Sequence, residues 1–361
     1  MKRNFKLLIV LSVIIILGVS LVIGCAQPEE VIESNPNQDD GARVSMDLRL
    51  AHFFPATHPA EIVLVQGWAE LIDEVTDGQI TITSYPGGTL LAAAEIYDGV
   101  QSGVADLGLS CFSYTRGRFP LLEAFELPGI VYNNSKVASK VAWEGIRELA
   151  PAEVKDTNLM MVLATGPGDL FTKVPVRELE DLQGLEIRAT GLSAKTLEVM
   201  GATPVAMPQS EAYESLSRGV VQGNLSPIEV LQGWGHAEVT DYLTMTPFLY
   251  NTLFFVTMNL DVWNEIPAHL QQIITEATET FFEEVAIGLW DMQNESALEF
   301  AVEKTNQEVI HLTEAETARW MELVMPIQEE FIDEMDVLGL DGRAALEIVQ
   351  KHADECNAIY K

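Results

Sequence analysis

The sequence predicts an α/β protein of two domains, in which two sheets flanked by helices are joined by crossing hinge strands and followed by a long C-terminal helical region. The main indication is the segment 182–227, whose apolar pattern alternates strand, helix, strand, helix, strand. Short strands also alternate with helical patterns between residues 48 and 164. Roughly 315 residues follow the polar N-terminal segment, which is enough chain for two domains.

The first 25 residues predict a secretory signal. Three basic residues lie among the first six, an unbroken apolar run follows from 7 to 23, and Gly24-Cys25 ends it. Small residues directly before a cysteine are typical of a lipoprotein signal, so residues 1–24 are excluded from the fold and Cys25 is the predicted lipidated first residue. An uncleaved membrane anchor is the alternative, because the run is almost long enough to span a bilayer.

The mature chain is strongly acidic. Residues 25–46 are polar and poor in large apolar groups, which predicts a flexible tether behind the lipid anchor. Residues 1–24 hold three of the 21 basic residues and none of the 54 acidic ones, so their removal leaves a net charge of about −36. Such a field repels nucleic acid and anionic membrane surfaces. We therefore expect no nucleic-acid partner, membrane contact only through the anchor, and a local positive site for any anionic ligand.

The elements of the first predicted domain follow in order along the chain. Strands are predicted at 48–51, 80–84, 107–110 and 160–164, with helices at about 59–75 and 95–102. Gly166-Pro167-Gly168 then predicts a flexible crossing, 254–258 predicts a returning strand, and the pattern is helical from Pro267 onward. These boundaries predict domain I at 47–166 plus about 252–290, and domain II at 167–251 plus about 291–361.

The segment 182–227 opens the second predicted domain. Leu185 and Ile187 alternate into a strand that runs into Arg188, and the segment ends in a strand that reaches Pro227. In α/β units of this kind, ligands bind outside the carboxyl ends of the strands. Arg188 and the 224–226 segment are therefore predicted at one edge of a cleft, with the forked Arg188 guanidinium placed to bind a carboxylate.

The same segment resembles the solute-binding proteins of TRAP transporters, the DctP-like family, whose pattern is roughly D-L-x-G-x-K-I-R, then G-A-x-P-V-x-M, then E-x-Y-x-A-L-x-x-G-V-V-D-G. Further motifs of that family match in the same order at 78–82, 85–90, 100–106, 126–128, 258–259, Trp263 and 266–267. The resemblance implies a periplasmic-binding-protein-like fold. It also implies an extracytoplasmic solute-binding subunit of a secondary transporter, with a small organic acid as ligand and integral membrane permease subunits as partners.

The resemblance also implies which residues bind the ligand. In the family, the arginine of the K-I-R strand pairs with the ligand's carboxylate, and Arg188 matches that position, with a surface ion pair as the alternative. Family members that bind sugar acids carry polar or charged groups at places where this chain has Phe53, Cys111, Asp169 and Ser226. The candidate ligand-binding residues are His52, Phe53, Cys111, Tyr114, Asp169, Phe171, Arg188, Gln209, Asn224, Ser226 and Trp234.

Two of these candidates have alternative interpretations. Trp234 can pack a helix instead of walling the site, and Asp169 can lie in a solvated loop or face a ligand amine, which would admit an amino acid. The departures from the sugar-acid pattern predict a monocarboxylate with an apolar or aromatic body, such as a branched 2-oxo acid or an aryl acetate. A buried hydroxyl without a partner costs a few kcal/mol. We therefore expect discrimination by unpaired hydroxyls rather than by size, since a pocket walled by aromatic rings can be large.

No catalytic or cofactor motif is present in the sequence. The six histidines lack H-E-x-x-H spacing, there is no G-x-S-x-G, and Gly191–Thr196 lacks phosphate-loop spacing. Some family members hold a metal with an acid followed by tryptophan, where this chain has Leu225-Ser226, so no metal is predicted, although Glu229 leaves one open. Cys111 and Cys356 are predicted to be unpaired, with a disulfide as the alternative. We therefore expect a cofactor-free binding protein that is not an enzyme; the alternative to a transporter subunit is a ligand-sensing lipoprotein receptor that signals to a membrane partner.

Overall fold

The computed structural model describes residues 44–360; the predicted signal peptide, Cys25 and most of the predicted tether lie outside this range. The described chain forms the strands β1 Met46–His52, β2 Ile80–Tyr85, β3 Leu107–Cys111, β4 Thr157–Ala164, β5 Asp169–Thr172, β6 Glu186–Ala189, β7 Thr203–Ala206, β8 Gly223–Ser226, β9 Tyr242–Met245, β10 Leu253–Asn259 and β11 Glu308–His311. Its α-helices are α1 Gln66–Val75, α2 Ile96–Gln101, α3 Ser135–Leu149, α4 Ser193–Val199, α5 Gln209–Arg218, α6 Val230–Gly233, α7 Leu260–Glu265, α8 Ala268–Glu284, α9 Leu289–Lys304, α10 Glu314–Val324, α11 Pro326–Leu338 and α12 Gly342–Ile359.

The strands form two mixed sheets. The first sheet has the order β2-β1-β3-β10-β4, with β1 parallel to β2 and β3, and β10 antiparallel to β3 and β4. The second sheet has the order β11-β9-β5-β8-β6-β7, with β5 antiparallel to β8 and β9. In each sheet the reversed strand follows a crossing between the sheets. Two sheets flanked by helices confirm the predicted fold class.

The strands that position the site are buried for reasons visible in their sequences. β3 (LGLSC) and β10 (LFFVTMN) are buried along their whole length, as expected of strands covered on both faces. β6 and β8 have only four residues each and end at Ala189 and Ser226. Gly191 lies two residues after β6 and adopts the left-handed region, with a φ of 52°. Pro227 directly follows β8. The chain therefore turns away from the second sheet immediately after each of these strands.

Two crossing segments connect the sheets side by side. The Thr165 amide donates to the Thr252 carbonyl over 3.1 Å, and the Gly168 amide donates to the Tyr250 carbonyl over 3.0 Å. Gly166 has a φ of 73°, and a Cβ at Gly168 would overlap the Tyr250 ring, so both glycines are required here. Two narrow, adjacent crossings are the geometry of a hinge. Domain closure about this hinge stays a prediction.

The C-terminal third differs from the sequence-based expectation in two ways. The strands β9 and β11 pair with each other. β11 lies in the region predicted to be helical, and no element was predicted at β9, because four-residue strands leave too short a pattern to detect. The last helix, α12, packs against α3, which belongs to predicted domain I, and also against α11, which belongs to predicted domain II. The apolar face of α12 therefore packs on the helical layer beside the first sheet. The domain boundaries stay a prediction. Among the described helices, none combines the length and the apolar character needed to cross a membrane.

Candidate ligand-binding site

A small cavity lies where the carboxyl ends of β1, β3, β6 and β8 meet the start of β10. Its aromatic lining consists of Phe53, Phe54, Tyr114, Trp234, Tyr250 and Phe254. Its other lining residues are Cys111, Thr165, Arg188, Gln209, Ser226, Pro227, Glu229, Val230 and Thr252. The cavity volume is about 20 Å³, which is room for about one water molecule. The lining therefore comes from both sheets, and the walls almost touch.

Strand register explains how the polar side of this cavity forms. Arg188, Asn224 and Phe171 lie opposite one another across β6, β8 and β5, and Ser226 and Asp169 lie opposite one another two residues further along. Side chains in such positions share one face of the sheet. Strand pairing within the second sheet alone therefore brings Arg188, Asn224 and Ser226 into one cluster.

The Arg188 guanidinium is almost completely enclosed, at 1% exposure. Its Nε donates to the Met207 carbonyl over 3.0 Å, and its Nη1 donates to Ser226 Oγ over 3.0 Å and more weakly to Asn224 Oδ1 over 3.4 Å. Its Nη2 has only a 3.4 Å contact, to the hydroxyl of Tyr114. The strongest donors already hold the side chain in place, so the open donor capacity of Arg188 lies at Nη2.

No carboxylate of the described residues lies within 4.0 Å of the Arg188 guanidinium. The acid that lines the same cavity, Glu229, instead has its Oε2 3.1 Å from Nε2 of His58. Removing one partner of a buried ion pair typically costs about 3–5 kcal/mol, because it leaves a charge without compensation. Residues 44–360 therefore supply no direct counter-ion for the positive charge of Arg188.

Three ionisable groups around Arg188 are held neutral, namely His236, Cys111 and Tyr114. Burial, together with the charge of Arg188, lowers the pKa of His236 to about 3. Burial raises the pKa of the Cys111 thiol and of the Tyr114 hydroxyl well above their ordinary values. These groups add no charge that would cancel that of the guanidinium, so the positive field at Nη2 is preserved.

His236 supports this arrangement from behind. Its Nδ1 lies 3.1 Å from the Asn224 carboxamide and its Nε2 lies 3.1 Å from the Gln209 carboxamide. Both atoms that face the ring are amide nitrogens, which donate, and a neutral imidazole accepts at one ring nitrogen, so it accepts a hydrogen bond from one of the two amides without adding charge. Nothing in the sequence marked His236, because its contacts join residues that are 12 and 27 positions away.

The opposite side of the cavity is aromatic. The Phe53 ring stacks on Phe54 with centroids 4.4 Å apart, meets Tyr114 edge-on at 5.4 Å, and lies nearly parallel to Trp234 at 6.0 Å and to Phe254 at 6.4 Å. Such ring pairs contribute about 0.5–1.5 kcal/mol beyond the area they bury. This side offers shape and apolar surface but few hydrogen-bond partners.

The structure brings seven of the eleven candidate residues to the cavity and places four away from its lining. Those that line it are Phe53, Cys111, Tyr114, Arg188, Gln209, Ser226 and Trp234. His52 instead lies 2.7 Å from Glu61 Oε2, and Phe171 packs in an apolar cluster with Leu243. Asn224 lies behind Arg188 and contacts it. Direct ligand contact by these residues stays a prediction.

Asp169 also lies away from the cavity lining. Its Oδ1 accepts the Thr246 amide over 2.6 Å, and burial raises the pKa of its carboxyl group to about 7. A side chain with 2% exposure is not the solvated loop residue that was the alternative interpretation. Nor does its position outside the lining support the pairing with a ligand amine.

Several lining residues were missed in the sequence. Tyr250, Thr252 and Phe254 all line the cavity at alternate positions where the chain returns to the first sheet. That period-two pattern was the available signal, since alternate residues of an extended chain face the same side. Phe54 follows Phe53 directly, and Glu229 was singled out only for a metal.

The remaining chemistry is limited to what these side chains supply. Within residues 44–360, no three His, Cys, Asp or Glu side chains are grouped so that they could hold a metal ion. The expected absence of a metal stays a prediction. Cys111 and Cys356 are both buried, free thiols.

Comparison with known proteins agrees with this architecture. Residues 50–334 match the family of bacterial extracellular solute-binding proteins, family 7, DctP. A TRAP periplasmic solute-binding protein from Desulfovibrio salexigens is 33% identical, with a TM-score of 0.74 over 89% of this chain and 97% of that one. Another, from Bordetella bronchiseptica, was solved with bound (R)- and (S)-mandelate; it is 28% identical, with a TM-score of 0.79 over 86% and 99% of the two chains.

A curated relative extends the range of ligands. The C4-dicarboxylate-binding periplasmic protein DctP of Rhodobacter capsulatus is 26% identical over 275 residues, which are 73% of this chain and 80% of that protein. The family match covers most of the chain, and it includes the sheets, the crossings and the Arg188 site. The chain therefore belongs to the DctP family of bacterial extracellular solute-binding proteins, the solute-binding proteins of TRAP transporters.

Proposed function

We propose that this protein captures a small monocarboxylate with an apolar or aromatic body and delivers it to TRAP permease subunits. The observation that carries the proposal is the enclosed Arg188 guanidinium, which lacks a carboxylate partner within 4.0 Å and shares its cavity with six aromatic rings. The ligand's carboxylate supplies the counter-charge, and the rings enclose its body. A charge-assisted hydrogen bond of this kind contributes about 1.5–3 kcal/mol.

The geometry of Arg188 defines how the carboxylate binds. Because Nε and Nη1 are already held by Met207 and Ser226, the carboxylate approaches Nη2, where the contact with Tyr114 is long. The Tyr114 hydroxyl can turn to donate to the second carboxylate oxygen, since it is neutral. The clamp is therefore a guanidinium and a phenol rather than a guanidinium fork by itself.

Ligand entry requires the walls to separate. A cavity of about 20 Å³ cannot hold a ring, so a ligand with an aromatic body enters only when the walls move apart. Opening about the crossings at Gly166–Gly168 and Tyr250–Thr252 separates Phe53 and Tyr114 from Arg188 and Trp234. Closure on the ligand then excludes water from the carboxylate and strengthens its contact with Arg188.

The known ligands of relatives bear on the choice of ligand. The Bordetella bronchiseptica protein binds mandelate, an aromatic monocarboxylate, whereas the Rhodobacter capsulatus protein binds C4-dicarboxylates. The aromatic wall of this chain suits the first ligand. A second carboxylate would find another acid, Glu229, in the same cavity and no second lysine or arginine among the lining residues. We therefore favour monocarboxylates.

A thermal-shift panel tests this function. Benzoate, phenylacetate, mandelate and 4-methyl-2-oxopentanoate are expected to raise the melting temperature at millimolar dose, because a ligand that binds only the folded state stabilises it by RT ln(1 + [L]/Kd). Glucuronate and sialic acid are expected to give no shift. A clear shift with glucuronate and none with the four monocarboxylates would overturn the proposal. Native mass spectrometry of freshly purified protein identifies any acid that it retains.

The lipid anchor and the membrane partner complete the proposed role. Cys25, at the end of the apolar run, would hold the protein at the outer face of the membrane through the tether 25–46. The variant Cys25→Ser is expected to release the protein from the membrane fraction, and its continued retention would contradict lipidation. A sensor role in place of transport predicts that the ligand is not taken up by cells that carry the permease subunits.

A further inference from the structure

Glu229 and Trp234 form a second polar region of the cavity, in addition to the one around Arg188. Both residues line the cavity, and Glu229 lies more than 4.0 Å from the Arg188 guanidinium. Glu229 is 3% exposed although it is a carboxylic acid. Buried acids of this kind need a reason, because desolvation costs free energy unless hydrogen bonds offset it. The binding of the ligand's carboxylate does not use either residue.

His58 holds the Glu229 carboxyl group in place. The Ala60 amide donates to His58 Nδ1 over 3.1 Å, so the imidazole has its proton on Nε2, which lies 3.1 Å from Glu229 Oε2. A side chain at Gly233 would come within 3 Å of both His58 Nε2 and Glu229 Oε2, so helix α6 closes tightly over the pair. Oε1 of Glu229, in contrast, receives no hydrogen bond from any residue in the range 44–360.

Trp234 contributes an unused donor beside this acceptor. Its indole Nε1 is buried and has no hydrogen-bond partner among the described residues. Its ring lies 5.5 Å from that of His58 and 6.0 Å from that of Phe53, so it joins the Glu229 pair to the aromatic wall. A buried indole N–H usually has a partner, and because Trp234 lines the cavity, its free donor is available to a ligand atom there.

An acceptor and a donor without partners, in one small cavity, match a single chemical group. A hydroxyl group donates one hydrogen bond and accepts another, whereas an ether only accepts and an ammonium only donates. We infer that Glu229 and Trp234 bind one hydroxyl group on the body of the carboxylate ligand, so that the preferred ligands are monocarboxylic acids with a single ring or chain hydroxyl. His58 is the residue that positions Glu229. This inference rests on the proposed function, because it assumes that Arg188 binds the carboxylate.

The selectivity follows from the cost of unpaired groups. A site built to hydrogen-bond a hydroxyl rejects the analogue that lacks it, because the buried indole donor of Trp234 then stays unpaired. Polyhydroxylated acids are expected to bind less well, because the rings of Phe53, Phe54 and Phe254 in the same lining offer no partners for further hydroxyls.

Calorimetry with four matched probes tests the inference on the wild-type protein. The probes are phenylacetate, 3-hydroxyphenylacetate, 4-hydroxyphenylacetate and 3-methoxyphenylacetate. At least one hydroxyphenylacetate is expected to bind ten-fold or more tightly than both phenylacetate and the methoxy compound. Equal affinities for the hydroxy and deoxy probes, or a methoxy probe that binds as tightly as the hydroxy ones, would overturn the inference while leaving the proposed function intact. Failure of all four probes to bind overturns the inference, and the function fails with it only if the wider monocarboxylate panel also gives no binding.

Two variants assign the effect to these side chains. Trp234→Phe keeps a ring but removes the donor, and Glu229→Gln keeps the size but replaces the acceptor oxygen pair by an amide. Each is expected to cut the hydroxyl preference, which is the ratio of hydroxyphenylacetate affinity to phenylacetate affinity, at least five-fold, whatever its effect on phenylacetate binding itself. Unchanged hydroxyl preference in both variants would contradict the assignment. Circular dichroism and ligand-free melting show whether each variant is folded, and the wild-type comparison does not depend on either.

Discussion

The two walls of the cavity are built from different chemistry, and the contrast shows how binding is divided between the sheets. The second-sheet wall has a buried charge, Arg188, held by Ser226 and Asn224 at alternate positions of one strand. The first-sheet wall is a stack of rings around Phe53, with centroids 4.4–6.4 Å apart. Orientation of the carboxylate is therefore set by the second sheet, and acceptance of the ligand's body by the first.

Removing the charge from the polar wall is expected to have the largest effect. Arg188→Ala should weaken binding of any accepted monocarboxylate by about 1.5–3 kcal/mol or more, which is roughly ten-fold to above a hundred-fold. Arg188→Lys should also bind weakly, because an ammonium cannot replace the planar contacts of Nε and Nη1. Calorimetry measures the affinities.

A matched control separates local charge from net charge. Arg218 is an exposed arginine on α5, so Arg218→Ala makes the same substitution outside the cavity. Its ligand affinity is expected to match that of the wild type. If Arg188→Ala binds as tightly as Arg218→Ala, the assignment of the carboxylate to the polar wall is wrong.

The crossing at Gly168, which connects the two sheets and so the two walls, provides the next test. Gly168→Ala places a Cβ into the Tyr250 ring, and overpacking of this kind costs about 1–3 kcal/mol. We expect a lower free energy of unfolding and a smaller ligand-induced decrease in the radius of gyration by small-angle scattering. Gly288→Ala is the control, since no atom would lie within 4 Å of its new Cβ. Equal behaviour of the two variants would argue against a hinge at this crossing.

The neutral groups behind the polar wall make stability depend on pH. Burial raises the pKa of Asp169 from its ordinary value to about 7, so between about pH 4 and 7 the folded state binds a proton that the unfolded state releases. Stability from this group is therefore present at low pH and is lost as pH rises through that window, by up to about 1.4 kcal/mol per pH unit. Asp169→Asn keeps the oxygen that accepts a hydrogen bond from the Thr246 amide. In urea unfolding, this variant should lose less stability than the wild type as pH rises through this window.

An exposed aspartate provides the control for that pH dependence. Asp333→Asn on α11 changes the same charge at the surface, where the wild-type pH profile should be retained. If the Asp169→Asn profile keeps the wild-type slope between about pH 4 and 7, Asp169 is not the group responsible.

Trimming the aromatic wall is expected to have the smallest effect. Phe53→Leu keeps an apolar side chain but removes the ring contacts with Phe54, Tyr114 and Trp234. Each aromatic pair contributes about 0.5–1.5 kcal/mol beyond its buried area, so affinity for an aromatic acid should fall more than affinity for a branched aliphatic acid. Calorimetry with phenylacetate and 4-methyl-2-oxopentanoate compares the two; an equal loss would show that the wall recognises apolar area and not rings.

The sequence by itself was sufficient for features that depend on local pattern. The alternation around Arg188, the glycines of the crossing and the order of the family motifs were all readable from neighbours in the chain, and the family and fold class followed from them. Of the seven candidate residues that line the cavity, Phe53, Cys111, Arg188 and Ser226 lie at or next to strand ends, where α/β proteins bind ligands.

Only the tertiary structure decided which polar groups meet. Asp169 shares a sheet face with Ser226, yet its carboxyl group turns to the Thr246 amide, and His52 pairs with Glu61. His58 and Glu229 are 171 residues apart and come together where the sheets meet. Such contacts carry no periodic signal, because hydrogen bonds between distant segments depend on side-chain direction and on how the sheets are placed, and neither quantity is encoded in local spacing.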